Sequence, residues 1–215
     1  MIDFAAARRN MVDGQVRTQD VTDLRVIDAL LAVPREQFLP AAKAGVAYLD
    51  DDIALGEGAT SRRLLKPMVL AKFMQLAAPR PGDRVLDIAG GTGYASALWA
   101  RLVGSVTMLE EDSALAKQAQ KNLGGAAKVV TGALAVGWQA NAPYDIILIN
   151  GACEIEPKSI FGQLADGGRL LCIMGATPGK ATLYLRSGND VSSRQLFDAS
   201  APPLPEFARA PAFVF

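Results

Sequence analysis

The sequence predicts an α/β protein with a mostly parallel, doubly wound sheet and an N-terminal helical extension. An apolar segment at residues 85–88 runs into a glycine turn at 90–93 and then into a segment with helical periodicity. A second apolar run, 106–109, follows at the spacing of a βαβ unit and ends in Glu110. Strand-like and helix-like segments then alternate along the chain, which is typical of parallel strands joined by crossover helices.

The extension, residues 1–80, is predicted to be mainly helical. Leu24, Ile27 and Leu31 recur at helical spacing and are expected to form one apolar face. Pro67 suits the first turn of a further helix. The predicted elements are helices at 5–11, at 20–32 and from 67 to a break at 79–82, with a turn at 34–36 and an irregular segment to about 66.

Residues 81–215 are predicted to form the α/β core, and the whole chain, 1–215, a single domain. Ser113 is the expected N-cap of the helix that follows Glu110. Two late segments are expected to close the sheet as an antiparallel pair. The remaining predictions are helices at 113–123 and 158–164, strands at 128–131, 145–149 and 169–174, the pair 182–185 with 194–197, and an irregular tail at 202–211.

Composition narrows the possible functions. The chain has 22 basic and 22 acidic side chains, so its charge does not favour nucleic acid or an anionic membrane as a partner. Its apolar stretches are too short for a membrane span, and residues 1–4 do not resemble an export signal. Cys153 and Cys172 lack metal or redox spacing and are interpreted as buried free thiols. We therefore expect a cytoplasmic protein without nucleic-acid or membrane partners.

The glycine turn predicts a site for an adenosyl or nucleotide ligand, although such a turn can also be a plain packing feature. Gly91 and Gly93 let the backbone approach a ligand, and Glu110 stands where a βαβ unit places the carboxylate that binds ribose hydroxyls. A dinucleotide is one candidate. Asp87 would repel a pyrophosphate and attract a cation. S-adenosyl-L-methionine, which carries a sulfonium and an ammonium group, is therefore the predicted cofactor.

Two features of composition limit the chemistry. The chain contains no histidine, which excludes an imidazole base, a Ser-His-Asp triad and a histidine-ligated metal. Methyl transfer to a carboxylate remains possible, because a carboxyl group with a pKa of about 4 is already ionised at neutral pH. Asp50, Asp51 and Asp52 cannot all face inward from an extended segment, so we expect a solvated turn with Asp52 facing the site and no metal.

Several motifs, in order around the glycine turn, resemble one family. They are VPREQFLP at 33–40, AYLD at 47–50, GEGAT at 56–60, APYD at 142–145 and QLADGGRL at 163–170. With these motifs the chain resembles the protein L-isoaspartyl (D-aspartyl) O-methyltransferases, which are class I enzymes with a Rossmann-like fold. The resemblance implies S-adenosyl-L-methionine as cofactor and isoaspartyl-containing peptides or proteins as partners. The methylated α-carboxylate would collapse to a succinimide that reopens partly as normal aspartate.

The residues themselves and the resemblance together indicate roles for individual positions. Ser61 takes the place of the family's serine near the reactive centre, and Thr60 precedes it, so both are predicted to be catalytic. Asp52, Arg62 and Arg63 are predicted to bind substrate, although the two arginines could equally belong to a solvated loop. The predicted cofactor-binding residues are Asp87, Ala89, Gly90, Gly91, Gly93, Tyr94, Glu110, Glu111, Gly132 and Ala133.

Three departures from the family pattern GxGxTISxP and its glycine-rich turns define further expectations. The loop before Pro67 is three residues longer and contains the two arginines. Ala133 replaces the aspartate that would accept a hydrogen bond from the adenine amino group, a loss of about 0.5–1.5 kcal/mol. Ala89 replaces a glycine, so its φ is expected to be negative.

The sequence leaves two alternative functions open. One is a divergent methyltransferase that acts on another small molecule, and the other is a catalytically inactive protein that still binds the cofactor. The positions of Ser61, Arg62 and Arg63 separate the alternatives. Side chains that line the methyl end of the site would favour an enzyme, and side chains that point to solvent would favour a binding protein.

Overall fold

A seven-stranded sheet forms the centre of the protein. The structure is a computed structural model that describes residues 2–57, 62–175 and 178–209. The strands of the described ranges, of which β3 to β9 form this sheet, are β1 Ile53–Ala54, β2 Arg63–Leu64, β3 Arg84–Ile88, β4 Ser105–Glu110, β5 Lys128–Thr131, β6 Tyr144–Cys153, β7 Leu164–Met174, β8 Lys180–Ser187 and β9 Asp190–Asp198. The sheet order is β5-β4-β3-β6-β7-β8-β9, with β3 to β7 parallel and β8 and β9 antiparallel. The predicted fold class and the closing pair are confirmed.

Helices cover the sheet. They are α1 Phe4–Met11, α2 Leu24–Ala32, α3 Pro67–Ala77, α4 Tyr94–Trp99, α5 Ser113–Leu123 and α6 Lys158–Phe161. A π-helical turn, Val12–Val16, continues α1, and 3-10 turns lie at Arg17–Gln19, Arg35–Phe38, Ala41–Val46, Leu134–Val136, Gln139–Asn141 and Pro205–Phe207. None of the helices in the described ranges has the length and apolar content needed to cross a membrane.

Successive residues of the buried strands pack into cores on opposite faces of the sheet. Val85, Ile146 and Leu148 belong to the core under α1 to α4. Leu86, Ile147 and Ile149 belong to the core on the other face. That second face is covered mainly by short segments, with Ile160, Leu204 and Phe207 buried in it. The alternation follows from the two-residue period of a strand, and burial on both faces explains why these strands are apolar throughout.

Several local predictions need correction. The helix predicted from residue 20 begins at Leu24, because Asp23 caps it and Asp20 has a φ of 62°. Leu24 is 66% exposed, so the predicted apolar face is wrong at that position. The cap of α5 is Asp112, whose carboxylate accepts from the amides of Ala114 and Leu115 at 2.8 and 3.0 Å, and not Ser113. The helix predicted at 158–164 ends at Phe161.

The segment predicted to be irregular contains a small antiparallel pair, β1 with β2. Arg35 fixes this region to the core although its side chain is fully buried. Its guanidinium donates to the carbonyls of Ala47 and Leu65 at 2.8 and 2.9 Å and lies 4.8 Å from the centre of the Tyr94 ring. Burial lowers the pKa of Arg35, and the carbonyl dipoles and the ring partly compensate for that desolvation.

Candidate cofactor site

The glycine turn lies at the carboxyl edge of the sheet, where the chain first leaves β3 for β4 and later returns to the other side of β3 as β6. Ligands of parallel α/β sheets bind at such a switch point. Gly91 and Gly93 have φ values of +60° and +97°, which a side chain would strain. The Gly93 amide closes the turn by donating to the Gly90 carbonyl at 2.9 Å. The predicted turn is therefore present, with α4 directly behind it.

The glycines of this turn contact other parts of the protein at short range. A Cβ atom at Gly91 would lie 2.4 Å from Cδ1 of Leu55, and one at Gly93 would lie 3.0 Å from Cδ1 of Leu123. A Cβ atom at Gly90 would lie 2.6 Å from Cγ of Met108. The three glycines therefore leave room for these side chains, which would have to shift if a Cβ atom were added, whatever role the glycines have toward a ligand. Tyr94, at the start of α4, is fully buried behind them.

Ala89 does not adopt the expected conformation. Its φ is +57°, in the left-handed region that is unfavourable for a residue with a Cβ atom. The prediction of a negative φ is therefore wrong. The turn holds this conformation because the amides of Ala89 and Gly90 both donate to the carbonyl of Leu109 on β4, at 2.9 and 3.5 Å.

Asp87 is a buried carboxylate at the end of β3, with no exposed surface. It accepts hydrogen bonds from the Ser96 hydroxyl on α4 and from Nδ2 of Asn150 on β6, the latter at 2.6 Å. Burial raises the pKa of Asp87 to about 6, although these hydrogen bonds favour the charged form. Asn150 was missed by the sequence reasoning. Its signal was a polar residue directly after the apolar run 145–149.

Glu110 connects the end of β4 to the glycine turn. Its carboxylate is fully buried and accepts from the Gly91 amide at 2.9 Å. The amides of Glu111 and Asp112 donate to the same carboxylate at 2.8 and 3.1 Å. Arg62 completes the set, with Nε 3.1 Å from Oε1. The strand-end acid is thus joined to the turn, as the spacing predicts.

Arg62 and Arg63 point to different partners and do not form a joint clamp in this structure. Besides Glu110, Arg62 contacts Glu206 of the C-terminal segment at 3.1 Å. Arg63 donates through Nη1 to the carbonyl of Asp52 at 3.0 Å. Its Nε is buried without a hydrogen-bond partner among the described residues. Neither arginine belongs to a solvated loop, since both side chains lie at least partly inside the protein.

A cavity of about 520 Å³ opens beside Glu110. Its wall is lined by Leu55, Gly56, Glu57, Arg62, Glu111, Asp112, Ala114, Leu115, Pro205 and Glu206. The pKa of Glu111 is raised, first because its carboxyl group faces that of Glu206. Glu206 was also missed by the sequence reasoning, since the Pro-rich tail offered no periodicity that would place it here.

The other predicted site residues lie around this centre or outside the described ranges. Asp52 accepts from the Lys66 amide at 2.7 Å, and desolvation raises its pKa, whereas Asp50 and Asp51 are exposed. Gly132 follows β5 and packs near the Trp138 ring, and Ala133 is exposed. The catalytic candidates Thr60 and Ser61 lie outside the described residues. Within the described ranges, no group of acidic or sulfur ligands could hold a metal ion.

The sheet order, the glycine turn and the strand-end glutamate define the Rossmann-like methyltransferase class. The structure superposes on a protein-L-isoaspartate O-methyltransferase with a TM-score of 0.79 and 25% identity, over 91% of this chain and 65% of that chain. It also shares its fold with a Plasmodium falciparum structure described as a putative protein-L-isoaspartate O-methyltransferase in complex with S-adenosyl-L-homocysteine. That match has a TM-score of 0.78 and 17% identity over 96% and 100% of the two chains.

Sequence comparison assigns the family. The family described as Protein-L-isoaspartate(D-aspartate) O-methyltransferase (PCMT) matches residues 7–197. A protein-L-isoaspartate O-methyltransferase of Methylorubrum extorquens is 38% identical over 94% of this chain and 90% of its own length. The protein-L-isoaspartate O-methyltransferase 1 of Rhodopseudomonas palustris is 36% identical over 94% and 84%. The chain belongs to the protein-L-isoaspartate(D-aspartate) O-methyltransferase family.

Proposed function

We propose that this protein transfers a methyl group from S-adenosyl-L-methionine to the α-carboxylate of isoaspartyl residues in damaged peptides and proteins. The observation that carries the proposal is the hydrogen bond between the strand-end Glu110 and the glycine-turn amide of Gly91. It sits at the carboxyl edge of a parallel sheet, in a chain whose family is established. Ribose-binding carboxylates of βαβ units occupy this position.

The described residues fit an adenosyl cofactor. The cavity of about 520 Å³ is within the range of small-molecule sites, roughly 300–1,000 Å³. Glu110 would accept the ribose hydroxyls, and Asp87 would provide negative charge near the cationic end. Of the predicted cofactor-binding residues, Glu111 lines this cavity, and the glycine turn lies behind Leu55, which packs on Gly91. In the proposed complex the turn from Ala89 to Tyr94 would supply the backbone wall, and Glu111, Gly132 and Ala133 would border the adenosine. When bound, the cofactor supplies an activated methyl group.

The chain's own contribution to catalysis is binding and alignment. An isoaspartyl carboxylate is ionised at neutral pH and needs no general base, which agrees with a sequence without histidine. Its positioning is then the main requirement. Arg63 is a suitable group for this task, because its Nε has no partner among the described residues. It lines a small cavity together with Ala89 and Asn150. Asp52 holds the Arg63 side chain through its carbonyl, and Thr60 and Ser61 keep their predicted catalytic roles.

The proposal extends to the organisation and location of the protein. A single domain of residues 1–215 is supported by a family match over 7–197. A cytoplasmic location is supported by Cys153 and Cys172, which are buried and free, as expected in a reducing compartment. Isoaspartyl proteins are the proposed partners.

The test is transfer of radiolabelled methyl from S-adenosyl-L-methionine to an isoaspartyl peptide, with the same peptide containing normal aspartate as the control. We expect base-labile label on the isoaspartyl peptide alone. Cofactor binding without label on either peptide would contradict the proposal and favour an inactive binding protein. Label on neither peptide but on small molecules of a cell extract would favour a divergent methyltransferase.

A further inference from the structure

One oxygen of the Glu110 carboxylate, Oε1, accepts from three donors and has no acceptor site left for a ligand, whereas Oε2 accepts from one donor. A carboxylate offers about four acceptor positions on its two oxygens. The Gly91 amide occupies Oε2, and the amides of Glu111 and Asp112 and Nε of Arg62 occupy Oε1. Three of the donors are backbone amides that the glycine turn and the β4–α5 connection hold in place. Arg62 is the one side-chain donor in this set.

Arg62 is firmly held in this position. Its side chain is 9% exposed, and its guanidinium bridges Glu110 and Glu206 with two N–O distances of 3.1 Å. Its pKa is raised, because the attraction of Glu110 and Glu206 outweighs the burial that would lower it. The carbonyl of Arg62 also accepts from the Leu55 amide at 2.8 Å. Leu55 packs against Gly91, so this backbone is fixed over the glycine turn.

We propose that Arg62 competes with the cofactor ribose for Glu110 and thereby sets the affinity for the cofactor. This inference rests on the proposed function, which assigns the ribose to Glu110. Two ribose hydroxyls can donate to Glu110, one to each oxygen, only after Nε of Arg62 has left Oε1, because the three backbone donors cannot move without opening the turn. The displaced guanidinium can remain paired with Glu206, because Glu206 already accepts from a different nitrogen, Nη2 of Arg62. Arg62 therefore opposes cofactor binding, whereas an arginine that contacts the ligand would promote it.

The experiment is calorimetric titration with S-adenosyl-L-homocysteine, without peptide, of the wild type and of Arg62→Met. We expect Arg62→Met to bind about tenfold more tightly, a gain of about 1.4 kcal/mol. Arg62→Lys, which keeps a charge but loses the planar fork, should show a smaller gain. Arg17→Met is the matched control, because Arg17 forms an exposed ion pair with Asp13; its affinity should equal that of the wild type. Without ligand, Arg62→Met should unfold at a lower temperature than the wild type.

A double-mutant cycle with Glu110→Ala identifies the group for which Arg62 competes. Glu110→Ala alone should weaken ligand binding. Arg62→Met made in the Glu110→Ala protein should not change the affinity of that protein. If Arg62→Met binds the ligand no more tightly than the wild type while Glu110 is present, the competition is overturned. An equal gain from Arg62→Met in the presence of Glu110 and in the Glu110→Ala protein would overturn it as well. If Arg62→Met binds more tightly but no form methylates an isoaspartyl peptide, the competition stands and the proposed substrate is wrong. Loss of binding in every form, the wild type included, would overturn both.

Discussion

At the residue scale, Asp87 shows burial and hydrogen bonding acting in opposite directions on one carboxylate. Desolvation raises its pKa to about 6, while Ser96 and Asn150 donate to its two oxygens. At pH values between 3.8, the ordinary pKa of an aspartate, and about 6, Asp87 is therefore protonated in the folded protein but mostly ionised in the unfolded chain. Stability from this group is present at low pH and is lost as the pH rises through that interval.

Asp87→Asn should stabilise the protein above about pH 7 by about 3 kcal/mol, because one pKa unit corresponds to about 1.36 kcal/mol. The amide can hydrogen-bond to both Ser96 and Asn150. The advantage should shrink as the pH falls from about 6 to 3.8 and vanish at about pH 2, where Asp87 is protonated in both states. Cofactor affinity should fall at the same time, because the negative charge is lost. Urea unfolding at several pH values and calorimetry with S-adenosyl-L-homocysteine measure the two effects. Asp13→Asn, at an exposed position, is the control. A less stable Asp87→Asn protein at neutral pH would contradict the prediction.

Ala89→Gly should be stabilising, because alanine at a φ of +57° carries a backbone cost of about 1–2 kcal/mol. Part of the gain is lost to the flexibility of glycine in the unfolded chain, so we expect about 0.5–1 kcal/mol. Ala78→Gly, at an exposed position with a φ of +46°, should give a similar gain away from the site. Ala5→Gly, within α1, should be destabilising. Thermal or urea unfolding of the three variants checks the prediction, and a loss of stability at Ala89 would contradict it.

At the element scale, Arg169 joins the end of α3 to the sheet. Its guanidinium donates to the backbone carbonyls of Ala77, Ala78 and Asp145 at 2.5, 2.9 and 3.2 Å. It also forms an ion pair with Asp83 at 2.7 Å. These bonds satisfy carbonyl groups that a helix end leaves without partners. They also fix α3 on the strand that carries the QLADGGRL motif.

Arg169→Met should destabilise the protein by about 2–4 kcal/mol, since it leaves several carbonyls and a partly buried carboxylate without a donor. Arg169→Lys should recover little of this, because an ammonium group cannot reach all of these acceptors. Arg84→Met removes an arginine from the surface pair with Asp145 and should cost about 0–1 kcal/mol. Urea unfolding gives all three values. A full rescue by lysine would show that charge alone matters here.

At the scale of the whole molecule, distant segments of the chain meet at the glycine turn. Thr92 donates to the Phe38 carbonyl at 2.5 Å, and Leu55 packs on Gly91. Glu206 arrives from the C-terminal segment, which is fixed to β6 by the hydrogen bond from the Leu204 amide to the Ala152 carbonyl at 2.9 Å. The candidate cofactor site is thus bordered by parts of the chain that lie outside the core elements.

Local patterns account for most of what could be predicted. The buried strands and the glycine turn followed from apolar runs and turn residues within a few positions of each other. The same reasoning failed at Leu24, where the cap moved the helix start, and at Ser113, where the neighbouring Asp112 accepts the amides instead. It failed at Ala89 because backbone hydrogen bonds to Leu109 impose the turn conformation on whichever residue stands there.

The sequence by itself determined the fold class, the position of the turn and the pairing of the turn with Glu110, because periodicity and the spacing of a βαβ unit are local properties. Only the tertiary structure decided that Glu110 accepts from Arg62, that Asp87 accepts from Asn150, and that Glu206 lines the cavity. Arg62 and Glu206 are 144 residues apart in the chain. Contacts at such distances depend on how the sheet brings its edges together, and no local pattern encodes them.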